Sequence, residues 1–380
     1  MLRIALKMLF GDSTKYLGLV LGVAFTTLLV NQQLGIFLGL LSRSGSAISD
    51  AVEVDIWVMD PGVETLDVVL PLRETELYRV RGVNGVKWAV PFFRGAGTVR
   101  TIDGDVEATT VYGVDDVSLI GVPQGIVVGD IRNLRRPNAV VVDEDGFRRI
   151  FPSKEFQTGL EFELNDRRAI VVAVVKASPS FSSGPVLYTR YSEALLFTNN
   201  GRNQLSFILA KSDGSRNMLK LRNDICQQIG LKAVTSNEFK RANVQFVIDN
   251  TGIPTSFGTV VALGAIVGVC VVGLLTNLFV IENLRQFASL KAIGVRNSRI
   301  IKMVFVQTGT AGIVGWAIGL GGAAAFFQFA GQGDPSFRGF YLPWYVATGS
   351  AALAFFIMLV ASIIGLRRLL FIDPAIVFRG

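Results

Sequence analysis

The sequence predicts a membrane α-helical protein with four transmembrane helices and a large α+β extracytoplasmic (periplasmic) domain inserted between the first and second. Three observations lead there. Half of the 380 residues are hydrophobic and the mean hydropathy is +0.46, above the range of soluble domains. Four apolar runs, 16–41, 256–281, 304–327 and 344–366, contain no charged residue. A hydrocarbon core about 30 Å thick needs roughly 20 such residues in a helix, so each run is long enough to span. The stretch 42–255 is instead rich in charges of both signs and in short strand and helix patterns.

Residues 1–15 place Leu2, Leu6, Leu9 and Phe10 beside Arg3 and Lys7. That pattern predicts a short cytoplasmic amphipathic helix with its apolar side chains in the inner leaflet. A cleaved signal peptide is excluded, because the apolar run that follows is too long and lacks a small-residue cleavage site. The first span, 16–41, would reach about 39 Å as a helix, so Asn31, Gln32 and Gln33 are expected where it leaves the lipid and continues as a stalk. Gly18 with Gly22, and Gly35 with Gly39, are spaced to let a second helix approach closely.

The insertion reads as alternating strands and helices. Val54–Met59 before Asp60, Pro61 and Gly62 is a strand and turn, and Leu77–Val86 a short helix and turn. Ala96–Thr101 and Val106–Tyr112 flank Asp103-Gly104, a hairpin signal. Ala139–Val142, Ala169–Val175 and Phe207–Ala210 are further strands, and Asn217–Ile229 is a helix with apolar Met218, Leu221, Ile225 and Ile229. This order predicts an α+β module of two packed lobes. Ser236–Thr255, with Gly252 and Pro254 near its end, reads as a helix returning to the membrane beside the extended first span.

Chemistry is sparse. Histidine is absent from the chain, so a Ser-His-Asp triad cannot be assembled and His-based zinc or haem sites are disfavoured. Cys226 and Cys270 sit in segments of opposite character, one polar and one apolar, and both are expected to be small buried residues without a bridge. Asp103, Asp105 and Glu107 lack the ligand spacing of a calcium loop and read as solvated hairpin residues. No metal site is expected. No GxxxxGK[ST] run occurs, so ATP phosphates have no P-loop cradle here.

The second span carries Gly264 and Gly268, and the third Gly315 and Gly319, each pair at helix-packing spacing. Between them, 282–303 is a polar basic loop: Arg285, Lys291, Arg296, Arg299 and Lys302 face Glu282 alone. An excess of Lys and Arg beside spans marks the cytoplasmic side, and both termini then lie on that side. Within the loop, Leu284, Phe287, Ala288, Leu290, Ile293 and Val295 suit a short amphipathic helix that Gly294 can close, with a second helix starting near Asn297 or Ser298. A short outer loop, 328–343, leads to Trp344 and Tyr345 at the interface of the fourth span, and 367–380 forms a cytoplasmic tail. The pI near 9.5 thus reports topology and does not call for nucleic acid.

LKAIGVRNSRI, Leu290–Ile300, resembles the cytoplasmic loop of the FtsX and MacB superfamily of ABC-transporter permeases. IDNTGIPTSFGTVVALGAIVG, leading into the second span, is most similar to the DevC branch. VRGVNGVKWAVPFFRGAGTVRTIDGDVEATTVYGVD resembles the start of the MacB-like periplasmic core, and FIDPAIVFRG, with Pro374, Phe378 and Arg379, the family's C-terminal ending. The resemblance implies a permease subunit, not itself an enzyme, in the cell inner membrane. It would bind no cofactor, ATP being bound by a separate cytoplasmic ABC ATPase. MacB itself carries an ATPase domain ahead of its spans, whereas 15 residues precede the first span here. The resemblance also implies that Glu282, Arg285, Phe287, Leu290, Lys291, Ile293, Gly294, Pro374 and Arg379 couple to that ATPase. A second copy of the chain, a membrane-fusion adaptor and an outer-membrane channel would complete an exporter of a lipid or other amphiphile. An FtsX-like protein that signals to an extracellular cell-wall hydrolase is the alternative.

Overall fold

The computed structural model describes residues 2–11, 13–101, 103–178, 181, 184–198, 204–333, 337 and 340–370. The chain divides into a unit of residues 1–39 and 252–380 and a second of Leu40–Thr251. In order, the elements are α1 Leu2–Gly11, α2 Ser13–Arg43, α3 Ser46–Asp50, β1 Ile56–Met59, β2 Leu72–Arg73, α4 Glu74–Arg81, β3 Val86–Arg100, β4 Val106–Val114 and β5 Ile126–Gly129. A 3-10 turn, Ile131–Arg135, leads to β6 Ala139–Asp143, α5 Glu144–Ile150, β7 Glu161–Leu164, β8 Arg167–Val175, β9 Val186–Arg190 and α6 Tyr191–Phe197. Then come β10 Gln204–Leu205, β11 Phe207–Ser212, α7 Met218–Ile229, β12 Lys232–Thr235, α8 Ser236–Asn250, α9 Ile253–Glu282, α10 Leu284–Ala292, α11 Asn297–Gly333 and α12 Trp344–Leu370.

In the inserted domain, apolar residues on both faces of the strands demand cover on both sides. β1 shows this best: Trp57 and Met59 enter one core, Ile56 and Val58 another. The strands run β12-β1-β11-β3-β4-β9-β6-β8-β5, with β7 joining β3 and β8. β1, α4, β3, β11, α7 and β12 form a split β-α-β-β-α-β unit, into which the connection from β3 to β11 inserts β4 to β10. Two lobes were expected, but one sheet joins them. The long β3 pairs with β11 through Phe92 and with β4 from Phe93 onward, so one strand serves both lobes.

The two faces of this sheet differ. One carries a continuous aromatic core in which Trp57 meets Phe92, Phe207 and Phe239, and Tyr112 stacks on Tyr188. The other carries two separate cores, one with α4 and α7 residues and one with α5 and α6 residues. Asn217 caps α7 by accepting the Leu219 N–H, and Gly230 ends it at φ 80°. Thr235 and Glu238 cap α8 reciprocally, and the backbone hydrogen bond from Thr235 holds the Glu238 carboxyl below its ordinary pKa. Asp143 ends β6 with its carboxylate accepting the Val186 N–H at 2.7 Å. Burial outweighs that bond and pushes its pKa up to about 7.

Among the described residues, the membrane unit contains four helices long and apolar enough to cross a bilayer: α2, α9, α11 and α12. Their glycines let backbones meet. A Cβ added to Gly315 would stand 2.7 Å from the Val20 carbonyl oxygen, and one on Gly319 2.8 Å from Thr27 Cβ, so α11 lies directly on α2. Gly18 and Gly22 face Leu275 and Val271 of α9, and Gly268 faces Thr26 of α2. Gly264 is looser, its nearest neighbour being Val30. Asn31 of α2 is fully buried and donates to the Thr27 carbonyl at 2.8 Å, while its own side-chain oxygen has no partner among the described residues. The cysteines correct an expectation. Cys270 is exposed on α9, and Cys226 is half-buried, its sulfur accepting the Ala233 N–H.

Candidate functional site

The loop between α9 and α11 is built from both sides inward. Glu282 closes α9 and is ion-paired with Lys15 of α2. Asn283 then donates its side-chain amide to the Phe279 carbonyl at 2.9 Å, which supports the turn into α10. At the far end of α10, the Gly294 N–H reaches the Lys291 carbonyl and the Val295 N–H the Leu290 carbonyl. With Gly294 at φ 90°, this is a Schellman closure, a left-handed conformation that costs glycine little. α11 starts three residues later at Asn297.

The loop's apolar residues split into two groups. Phe287 is only 1% exposed and packs with Leu9, Val280, Ile300, Val304 and Leu366. It belongs to the inside of the membrane unit, so its side chain is not presented to a groove on another protein, unlike the sequence expectation. Its spacing from Leu284 and Leu290 fitted either face, and only packing decides. Ile293 is the opposite case, 81% exposed at the helix end. Leu290 and Lys291 are half-buried, while Arg285, Gly294, Arg296, Arg299 and Lys302 are exposed. One apolar side chain thus stands among exposed cations. Pro374 and Arg379 lie outside the described residues.

Two supports were not read from the sequence. Gln307 of α11 donates to the Ala5 carbonyl at 2.9 Å, and Leu9 is fully buried in the same core as Phe287. The first helix therefore turns Leu9 into protein and not into lipid, while Phe10 stays exposed. The four-residue spacing of Ala5 and Leu9, and a lone glutamine in an apolar run, were the available signals. Among the described residues no cluster of acids and cysteines is arranged to hold a metal.

Comparison with known proteins covers most of the chain. Residues 16–227 match the MacB-like periplasmic core domain and residues 258–374 the FtsX-like permease C-terminal family. An uncharacterized ABC transporter permease of Mycobacterium tuberculosis is 24% identical over 337 residues, covering 87% of this chain and 86% of its own. Another, of Mycobacterium bovis, is 25% identical over 336 residues with the same coverage. Among solved structures, the periplasmic region of MacB from Actinobacillus actinomycetemcomitans aligns at 17% identity and a TM-score of 0.39, covering 55% of this chain and 95% of that one. The extracellular domain of the noncanonic ABC-type transporter YknZ from Gram-positive bacteria aligns at 15% and 0.36, covering 48% and 98%. The periplasmic-core match alone spans more than half of the sequence, and the chain belongs to the MacB-like, FtsX-like family of ABC transporter permeases.

Proposed function

We propose that this permease takes up force from a separate ABC ATPase subunit at 282–303 and passes it to the inserted domain. The family supports an ATPase partner, and this sequence has no P-loop of its own. The observation that carries the reading is the exposure of Ile293 on a loop whose underside is clamped to the spans through Phe287. An exposed apolar anchor on a basic loop suits a docking knob, with the exposed Arg285, Arg296 and Arg299 orienting the partner. α2 runs unbroken from Ser13 to Arg43 and so connects the two units covalently without an intervening loop. Nucleotide binding would shift the permease only through the ATPase's different affinity for its two states.

In this reading the basic loop and both termini are cytoplasmic, the inserted domain is periplasmic, and two copies act together in the inner membrane. The cargo is a lipid or other amphiphile handed to an adaptor and outer-membrane channel, as the DevC likeness implies. The spans contain no charged residue and hence no evident polar route through the bundle. The test is co-purification with the partner ABC ATPase. Ile293→Asp should abolish the complex while the permease still inserts and folds, and an intact complex would sink the docking site. A cysteine placed at exposed Asp103, with Cys226 and Cys270 replaced by Ser, should react with an impermeant reagent on intact cells. Failure to label would reverse the orientation.

A further inference from the structure

The sheet of the inserted domain ends in two unlike edges. β12 turns few apolar atoms outward: Ala233 is buried, Val234 half-buried, and Lys232 donates to the Val63 carbonyl at 2.7 Å. β5, the last strand at the other end among the described residues, leaves Ile126 49% and Val127 42% exposed. Its pairing with β8 shifts between Ile126 and Val128, so Val127 has no counterpart across the ladder. Bare edges with exposed β-branched residues are templates for another strand, and proteins normally blunt them with charge, proline or cover.

One cavity reaches β5 at Gly129, and a second is lined by residues from the segments just before and just after the strand. The first, of about 290 Å³, is lined by Gly129, Asn133, Arg136 and Thr158. The second, of about 240 Å³, is lined by Val52, Leu119, Ile120, Gln124 and Arg132. Charge around the edge is predominantly basic. Arg132, Arg135, Arg136 and Lys176 are exposed, and neither Arg132 nor Arg136 has an ion-pair partner among the described residues. Asp130 and Glu53 are exposed as well and line one cavity each; they accept from the Arg132 N–H and the Gln124 amide, and these four cations outnumber them.

We infer that the β5 edge receives an extended, acidic segment of a partner polypeptide as an added strand. Its backbone would pair with β5, its alternate side chains would enter the two cavities, and its carboxylates would meet Arg132 and Arg136. A second copy of this chain is the less suitable occupant. Two β5 edges side by side would bring together two surfaces on each of which these arginines and Lys176 outnumber Asp130 and Glu53.

The probe is a short peptide alternating valine and glutamate, added to the purified full-length chain in nanodiscs, with a valine–lysine peptide as control. Hydrogen exchange should slow at Ile126–Gly129 with the acidic peptide and not with the basic one, and the effect should weaken with salt. Charge reversal of exposed Arg132→Glu with Arg136→Glu should weaken binding about tenfold or more, one decade being 1.4 kcal/mol. Val127→Pro should abolish the protection by removing a backbone donor. Equal binding of both peptides, protection away from β5, no binding, or a concentration-dependent dimer through β5 would each overturn the inference.

Discussion

The two units close their cores in opposite ways. The inserted domain closes on rings, with Trp57, Phe92, Phe207 and Phe239 fully buried in one core. In water, large apolar area removed from solvent is what drives closure. The membrane unit closes on glycine and alanine, with Gly315 and Gly319 against α2 and Ala311, Ala323 and Ala361 buried. Lipid offers no hydrophobic drive between helices, so close backbone approach takes its place. The difference teaches that a large side chain is an asset in the sheet core and an obstruction where α11 crosses α2.

Substitutions can break that contrast. Trp57→Ala should cost the inserted domain about 3–5 kcal/mol, read as early loss of protease resistance in that domain while the spans stay assembled. Gly319→Leu adds bulk where the helices touch and should cost about 1–3 kcal/mol or more, read as loss of helix packing in detergent with the inserted domain still resistant. If Gly319→Leu left the α2–α11 contact intact, the account of the bundle would be wrong.

A smaller effect sharpens the comparison through pH. Burial raises Asp143 to about 7 from an ordinary 3.8, so the folded domain holds that proton more tightly than the unfolded chain does. Its contribution is fully present below about pH 4 and is lost as the pH rises through 7. Asp143→Asn keeps an acceptor for Val186 and removes the titration. The variant should melt a few degrees higher at pH 8, and the gap should close toward pH 4. An unchanged pH profile would contradict this. Least disruptive is Ile293→Asp, expected to shift stability by under about 0.5 kcal/mol because the side chain is exposed. A large loss of stability there would mean that Ile293 is part of the permease's own packing.

Much of the membrane unit was legible because its signals are local. A run such as 256–281, without one charged residue, needs no knowledge of its neighbours to be read as a span. The turn at Gly294 was legible for the same reason. The inserted domain was legible only in part. The hairpin at Gly104 announces itself by sequence, and the glycine does adopt φ 91°. β9 does not, since it is five residues long and pairs in parallel with β4, more than 70 positions away. α5 and α6, seven residues each, are likewise held by the core they cover and not by propensity.

The sequence by itself determined that this chain crosses a bilayer, where a second domain interrupts the spans, and which loop is basic. Hydropathy and charge are sums over neighbouring residues, so no fold is needed to evaluate them. Only the tertiary structure decided that Phe287 faces inward while Ile293 faces outward, that Asn31 is buried, that Leu9 joins the bundle core, and that β5 ends the sheet unprotected. Each of these depends on which surface lies opposite a side chain, and that is settled by residues tens or hundreds of positions away.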